Sequence, residues 1–218
     1  GGRVKYFDVF TPEELKQRAA RENRTINRVP EKIDYVSPIG DLSIIDEKFD
    51  VVFSSHSIEH QMNLIKHLQE VENLLNDGGL FVLVIPDKRY CLDHLKPETS
   101  LPDLLARYFE DVKFRPLFDC MKDSLLFAHN NSVMHWFGMH GDTNARMTPE
   151  NLEATRKRHR ESLEQGKYID MHSLHVSPRS FERIINDLNK LKLTRLQMYR
   201  FCHTIWGRIE FVAVLKKV

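Results

Sequence analysis

Three features of this sequence predict an α/β fold, doubly wound about a mostly parallel sheet, with an antiparallel last strand and a helical insertion. An apolar run, Phe49 to Ser55, is followed by a periodic stretch from Asn63 to Asn76 and a second apolar run, Leu80 to Ile85. Strand, helix and strand at that spacing make a right-handed parallel βαβ unit. The alternation then breaks from about Asp87 to Met171, and the chain ends in two strand-like segments.

Each element has a local cause. Val4 to Val9 reads as a short strand holding Asp8 near its end. Thr11-Pro12-Glu13-Glu14 starts a helix, with Thr11 as cap, Pro12 in the first turn and Glu14 closing a capping box. That helix passes through Leu15 and Ala19-Ala20 and is expected to fray over Arg21 to Arg24. Ile33 to Ser37 is a second strand, closed by a turn at Pro38 and Gly40. Phe49 to Ser55 has the composition of a strand buried on both faces. Between Asn63 and Asn76 the apolar residues Leu64, Ile65, Leu68, Val71, Leu74 and Leu75 recur at three and four, and Asp77-Gly78-Gly79 is expected to end the helix. Leu80 to Ile85 is a strand stopped by Pro86. Helical stretches follow at Leu101 to Glu110 and Pro149 to Gln165. Ser177-Pro178 caps a helix that presents Phe181, Ile184, Ile185 and Leu188 on one face. The last strands are expected at Leu193 to Arg200 and Arg208 to Leu215, paired antiparallel.

The composition excludes several classes. The 218 residues suffice for one domain with an elaboration. Lysine plus arginine number 32 against 31 acids, so no global field steers the chain onto nucleic acid. No apolar run reaches the roughly 18 to 20 residues that cross a bilayer. A signal-type start is lacking too, and a cytoplasmic location is the expectation. Cys91, Cys120 and Cys202 are scattered and odd in number, as free thiols are in a reducing compartment. The oligomeric state is not readable from the sequence.

The segment Phe49-Asp50-Val51-Val52-Phe53-Ser54-Ser55-His56-Ser57-Ile58-Glu59-His60 resembles the fourth-strand motif of class I S-adenosylmethionine-dependent methyltransferases. Leu74-Leu75-Asn76-Asp77-Gly78-Gly79, followed by Leu80 to Pro86, resembles that family's Gly-Gly turn and fifth strand at the family's distance. The resemblance implies a Rossmann-like methyltransferase sheet with S-adenosylmethionine as cofactor. It divides the chain into a cofactor-binding half at 1–86, a helical insertion or substrate lid at 87–171, and a C-terminal helix and strands at 172–218 that complete the same domain. Family members carry a first strand and a glycine-rich loop ahead of the strand matched here by Val4 to Val9. Only Gly1 and Gly2 precede Arg3, and the sequence is expected to begin downstream of that segment. Ile85 to Tyr90, Asp93-His94 and Pro97 to Leu101 resemble a bacterial subfamily associated with glycosyltransferases and polysaccharide biosynthesis.

The resemblance also implies site residues. Ligands of an open parallel sheet bind beyond the carboxyl ends of its strands. Asp8 is placed to accept from the cofactor ribose hydroxyls, and Gly40, Asp41 and Leu42 to frame the adenine. Ser54, Ser55 and His56 line the cofactor at the end of their strand. His56, His60 and Asp87 are the candidate bases, while Glu59 is either near the cofactor or a stabiliser of a helix N-terminus. Lys88, Arg89, Tyr90, His135, His140, His172 and His175 are candidate acceptor contacts. The last four invite a metal reading, but no strict helical pair, Cys or HExxH motif accompanies them, and no metal is expected. Arg156 to Arg160 reads as a solvated helix face, with a phosphate on a sugar donor as its alternative. The expected activity is methyl transfer to a small-molecule or saccharide acceptor, with O-methylation favoured. A degenerate methyltransferase fold acting as a binding or scaffold module competes with it. So does a nucleotide-binding oxidoreductase, which would need its own GxGxxG loop.

Overall fold

The computed structural model describes residues 3–21, 29–112, 114–166 and 169–218. The chain divides into two compact units, Gly1–Lys48 and Phe49–Val218.

In the first unit, β1 (Phe7–Asp8) pairs in parallel with β2 (Tyr35–Val36), Phe7 opposite Tyr35 and Asp8 opposite Val36. Both strands are shorter than expected. The Tyr6 N–H is taken by the Asp34 carboxylate at 3.0 Å and not by a continuing ladder. Helix α1 (Pro12–Arg21) begins with the expected capping box: the Thr11 N–H donates to Glu14 at 2.8 Å, and the Glu14 N–H donates back to the Thr11 hydroxyl. Glu22 to Arg24, where fraying was expected, lie outside the described residues. After β2, Gly40 turns the chain at φ +73° into a short 3-10 turn, Leu42–Ile44, capped by Asp41.

The second unit is built on a sheet of order β3-β4-β6-β5, where β3 is Phe49–Ser55, β4 Leu75–Pro86, β5 Leu196–Cys202 and β6 Glu210–Lys217. β3 runs parallel to β4, and β6 runs antiparallel to both β4 and β5. Three strands therefore share a direction and the last opposes them, as the sequence predicts.

Helix α2 (Leu64–Leu74) joins β3 to β4 and buries Leu64, Ile65, Leu68, Val71 and Leu74, each worth about 1.5–3 kcal/mol when withdrawn from water. It stops earlier than expected. Leu75 pairs with Phe49 and is fully buried, so the strand starts there and Asp77-Gly78-Gly79 lies inside β4. Gly79 is required by close approach, since a Cβ would stand 2.8 Å from the Asn76 carbonyl oxygen and 3.2 Å from that of Asp50.

β3 also departs from expectation. Val51 and Phe53 are 52% and 65% exposed, because they share the face of β3 that is uncovered among the described residues.

Between β4 and the next helix come α3 (Leu101–Phe109), α4 (Leu117–Leu125), α5 (Ser132–Trp136) and α6 (Pro149–Gln165). α3 and α6 match the predicted stretches. α4 hides its period because it buries Asp119 and Lys122 in ion pairs, and α5 spans too few residues to show one. Helix α7 (Pro178–Lys190) carries a Ser177–Ser180 capping box and buries Phe181, Ile184, Ile185 and Leu188. No helix among the described residues is long and apolar enough to cross a membrane.

Gly79→Ala is expected to lower stability by about 1–3 kcal/mol in urea unfolding, because two of the three atoms that crowd the new methyl are backbone oxygens. A change below a few tenths would show that the β3–β4 entry yields freely.

Candidate active site

In the second unit the loops leaving the carboxyl ends of β3 and β4 meet a segment just before α7. The Glu59 carbonyl accepts from the Ser173 N–H at 2.7 Å and the Leu174 N–H at 3.1 Å. The His175 carbonyl accepts from Thr99 N–H at 2.9 Å, and the Val176 carbonyl from Lys88 N–H at 3.0 Å. Residues 173–176 are thus held to both loops by backbone hydrogen bonds.

Arg115, buried in the insertion, completes the frame. Its guanidinium donates to the His60 carbonyl at 2.7 Å, to the Ile169 carbonyl at 3.2 Å and to the Ser173 hydroxyl. A planar five-donor fork suits that convergence better than a lysine would. Beside it, the buried Asp119 carboxylate is held by Arg107 at 2.8 Å and Lys122 at 2.9 Å.

This frame brings together a set of titratable side chains. Asp93 is buried, and its carboxylate accepts from His172 Nδ1 at 2.5 Å and pairs with the buried Lys96 ammonium at 2.8 Å. Lys96 also reaches Asp123 at 2.8 Å. Because a carboxylate only accepts, His172 carries a hydrogen on Nδ1, and Nε2 is its proton-accepting position when the ring is neutral. Burial opposes a proton on His172, but the hydrogen bond and charge of Asp93 outweigh it and raise its pKa. Burial likewise opposes ionisation of Asp93, yet the hydrogen bond from His172 and the nearby cations hold its carboxyl below the usual range.

Glu59 lies across from this pair. It is 0% exposed, and neither carboxylate oxygen has a hydrogen-bond partner among the described residues. Its Oε1 is 3.6 Å from His56 Nδ1 and 3.8 Å from His60 Nε2. Burial pushes its pKa up against the opposing influence of the neighbouring histidines. His60 pairs with Asp170 at 2.9 Å and meets the His172 ring edge-on at 4.8 Å. His56 sits at φ +50°, a strained value for a residue with a Cβ, and its Nε2 lies 3.3 Å from Glu210.

The other expected residues take varied places. Asp87 is buried with both oxygens engaged, one by Arg89 and the other by Arg89 and Thr204, so it anchors its loop. Lys88 donates to the His94 carbonyl at 3.1 Å, and burial lowers its pKa. Tyr90 stacks on Trp136 at 3.8 Å with Arg89 above the ring. His175 is a packed neutral histidine whose pKa burial lowers to about 3. Ser54 and Ser55 end β3. His135 and His140 form a separate group with His94, away from His172.

In the first unit, the Ser37 N–H donates to the Asp8 carbonyl at 3.1 Å, so Asp8 and the Gly40–Leu42 turn leave one edge of the β1–β2 pair. Each acid also caps a turn: Asp8 accepts from Phe10 N–H at 2.9 Å and Asp41 from Ser43 N–H at 2.8 Å.

Asp93, Lys96 and Arg115 were not among the expected functional residues, whereas Glu59 was expected near the cofactor or at a helix N-terminus. Asp93 had a signal, standing in the same segment as Asp87 to Tyr90; nothing in the local pattern marks Arg115. Among the described residues, two groups offer ligand-type atoms mutually within 4.8 Å, Glu59 with His60 and His172, and His94 with His135 and His140. In the first, burial and Asp93 favour protons on Glu59 and His172; in the second, burial disfavours them on His135 and His140.

Residues 6–83 match the model of a family described as a methyltransferase domain. No curated protein matches the chain. Among solved structures, LaPhzM is similar at 11% identity and a TM-score of 0.41, over 99% of this chain and 43% of that one. The magnesium protoporphyrin IX methyltransferase ChlM of Synechocystis PCC 6803, solved with bound SAH, is similar at 9% identity and a TM-score of 0.38, over 100% of this chain and 65% of that one. An S-adenosylmethionine-dependent methyltransferase from Clostridium acetobutylicum ATCC 824 is similar at 12% identity and a TM-score of 0.42, over 96% of this chain and 73% of that one. The chain thus spans less than two thirds of the first two proteins.

The state of Glu59 can be tested through stability. Its carboxyl ionises near 4.5 in the unfolded chain and at higher pH in the folded one. The folded state therefore binds more protons, and stability falls as pH rises from about 4.5 through the folded pKa. Glu59→Gln cannot ionise and escapes that loss. Its urea midpoint is expected to gain on the wild type between pH 5 and pH 8; a constant gap would mean that Glu59 is charged throughout.

Proposed function

We propose that this chain transfers a methyl group from S-adenosylmethionine to a hydroxyl of a small-molecule or saccharide acceptor. The observation that carries the reading is the methyltransferase-domain match over residues 6–83, which includes the Asp8 strand end, the Gly40 turn, β3, α2 and the greater part of β4. A saccharide is favoured by the resemblance of Ile85 to Leu101 to a subfamily associated with polysaccharide biosynthesis.

The donor set of the first unit fits a nucleoside. Asp8 would accept from the ribose hydroxyls, and Asp41, beside Gly40 and Leu42, from the adenine amino group. When bound, the cofactor supplies a methyl group on a sulfonium, which needs little covalent assistance. The protein's task is then to orient the acceptor and remove its proton.

His172 is the base this arrangement favours. Its Nδ1–H donates to Asp93, which fixes the ring, leaves Nε2 to take the acceptor proton and stabilises the imidazolium that results. His56 and His60 border the same space and contact the acceptor, while burial raises the pKa of Glu59 and so disfavours a second anion there. Asp87 holds the loop through Arg89 and Thr204 instead of serving as base.

Calorimetric titration of S-adenosylmethionine and S-adenosylhomocysteine into this chain and a form extended upstream tests the cofactor. Binding is expected, weakened about ten- to a hundredfold by Asp8→Ala, the equivalent of a hydrogen bond to a charged group. No binding by either folded protein contradicts the reading.

A further inference from the structure

Asp93 and His94 are chain neighbours whose side chains serve different groups. Asp93 holds His172, while His94 joins His135 of α5 and His140 of the turn that follows it. His135 Nδ1 and His140 Nδ1 are 3.0 Å apart, and the His94 and His140 rings stack at 3.6 Å. His135 is buried and the other two are half-buried.

Backbone carbonyls decide which nitrogens hold hydrogen. His135 Nε2 is 2.9 Å from the His129 carbonyl oxygen, and His94 Nδ1 is 2.7 Å from that of Arg89. A carbonyl has no proton to give, so both nitrogens donate. When these rings are neutral, lone pairs remain on His94 Nε2 and on His135 Nδ1, which accepts from His140 Nδ1–H at 3.0 Å; an ion bound here would displace that hydrogen to His140 Nε2. His129 is fixed in turn, its Nδ1 accepting from Asn131 N–H at 3.2 Å and its Nε2 donating to the Met139 carbonyl at 2.8 Å. Imidazoles oriented by a carbonyl on the far nitrogen are the usual outer arrangement around a bound metal. Converging neutral imidazoles suit a borderline-soft cation.

The geometry points to His94, His135 and His140 as a binding site for a divalent transition ion of the zinc type, held by three imidazoles with a further position for water. The ion would tie α5 to the loop after β4. The same helix already meets that loop through the Tyr90–Trp136 stack, and the Trp136 indole N–H donates to the Arg208 carbonyl at 3.1 Å. Occupancy would therefore set the position of the insertion independently of methyl transfer.

The full chain, stripped with a chelator and dialysed, is titrated with zinc chloride against a chromophoric chelator and separately with cobalt(II) chloride, read by visible absorbance. One equivalent is expected to bind. His94→Gln and His140→Gln, both at half-buried positions, should each weaken it more than roughly 100-fold, beyond the loss caused by removing an outer partner. His203→Gln, at an exposed histidine outside the group, should leave it unchanged. Far-UV circular dichroism of the metal-free variants confirms that they are folded. Failure of the wild type to bind zinc, or unchanged affinity in folded His94→Gln and His140→Gln, overturns the proposal. Loss of the ion in His60→Gln alone also overturns it, by placing the metal with Glu59 and His172.

Discussion

The buried pair of Asp93 and Lys96 is the interaction on which the site depends. Taking either charge out of water alone costs several kcal/mol, and a contact at 2.8 Å offsets this only if the remaining polar positions are satisfied. Here Lys96 reaches a second carboxylate, Asp123, and Asp93 takes the His172 N–H. Burial alone would drive Asp93 neutral; the histidine hydrogen bond and the lysine charge win, so the carboxylate stays ionised. Its negative charge then sets the tautomer and basicity of His172. Loss of Lys96 would leave the buried Asp93 with only the His172 N–H against its charge.

The frame above it is made of backbone. Residues 173–176 fill hydrogen-bonding positions of the loops after β3 and β4, and the Arg115 fork gathers acceptors from His60, Ser173 and Ile169. Such a frame tolerates sequence change on the exposed rim while holding the ring positions of His60 and His172. The fold supports many chemistries, and what distinguishes this chain is the grafted set of acids and histidines.

Much of the scaffold was legible because period follows burial. Phe49 to Ser55, the α2 stripe, Leu80 to Ile85 and the α7 stripe each advertise a face through spacing. The misses have physical causes. β3 was expected to be buried on both faces, but composition does not reveal that the face of Val51 and Phe53 is left uncovered among the described residues. Asp77-Gly78-Gly79 reads as a helix stop, whereas Leu75 already belongs to β4 and glycine serves close packing against Asp50. α4 was invisible because two of its three buried residues are charged. Within the site, His56, His60, His172 and His175 stand out by type and spacing, but the pairing of Asp93 with His172 spans 79 positions and has no local signature. His135 and His140 were grouped with His172 and His175; the structure separates them because His94, not Asp93, is their partner.

The pH dependence of methyl-transfer turnover, wild type against Asp93→Asn at saturating acceptor, tests the central claim most directly. Turnover should rise with pH through one ionisation above the ordinary histidine value, since His172 must shed its proton to act as base. In Asp93→Asn that ionisation should move to lower pH while the plateau falls by roughly 10²–10⁴-fold, the range of a general base. An unshifted profile with an undiminished plateau in a folded Asp93→Asn protein would contradict the assignment of His172 and Asp93 as the proton-removing pair.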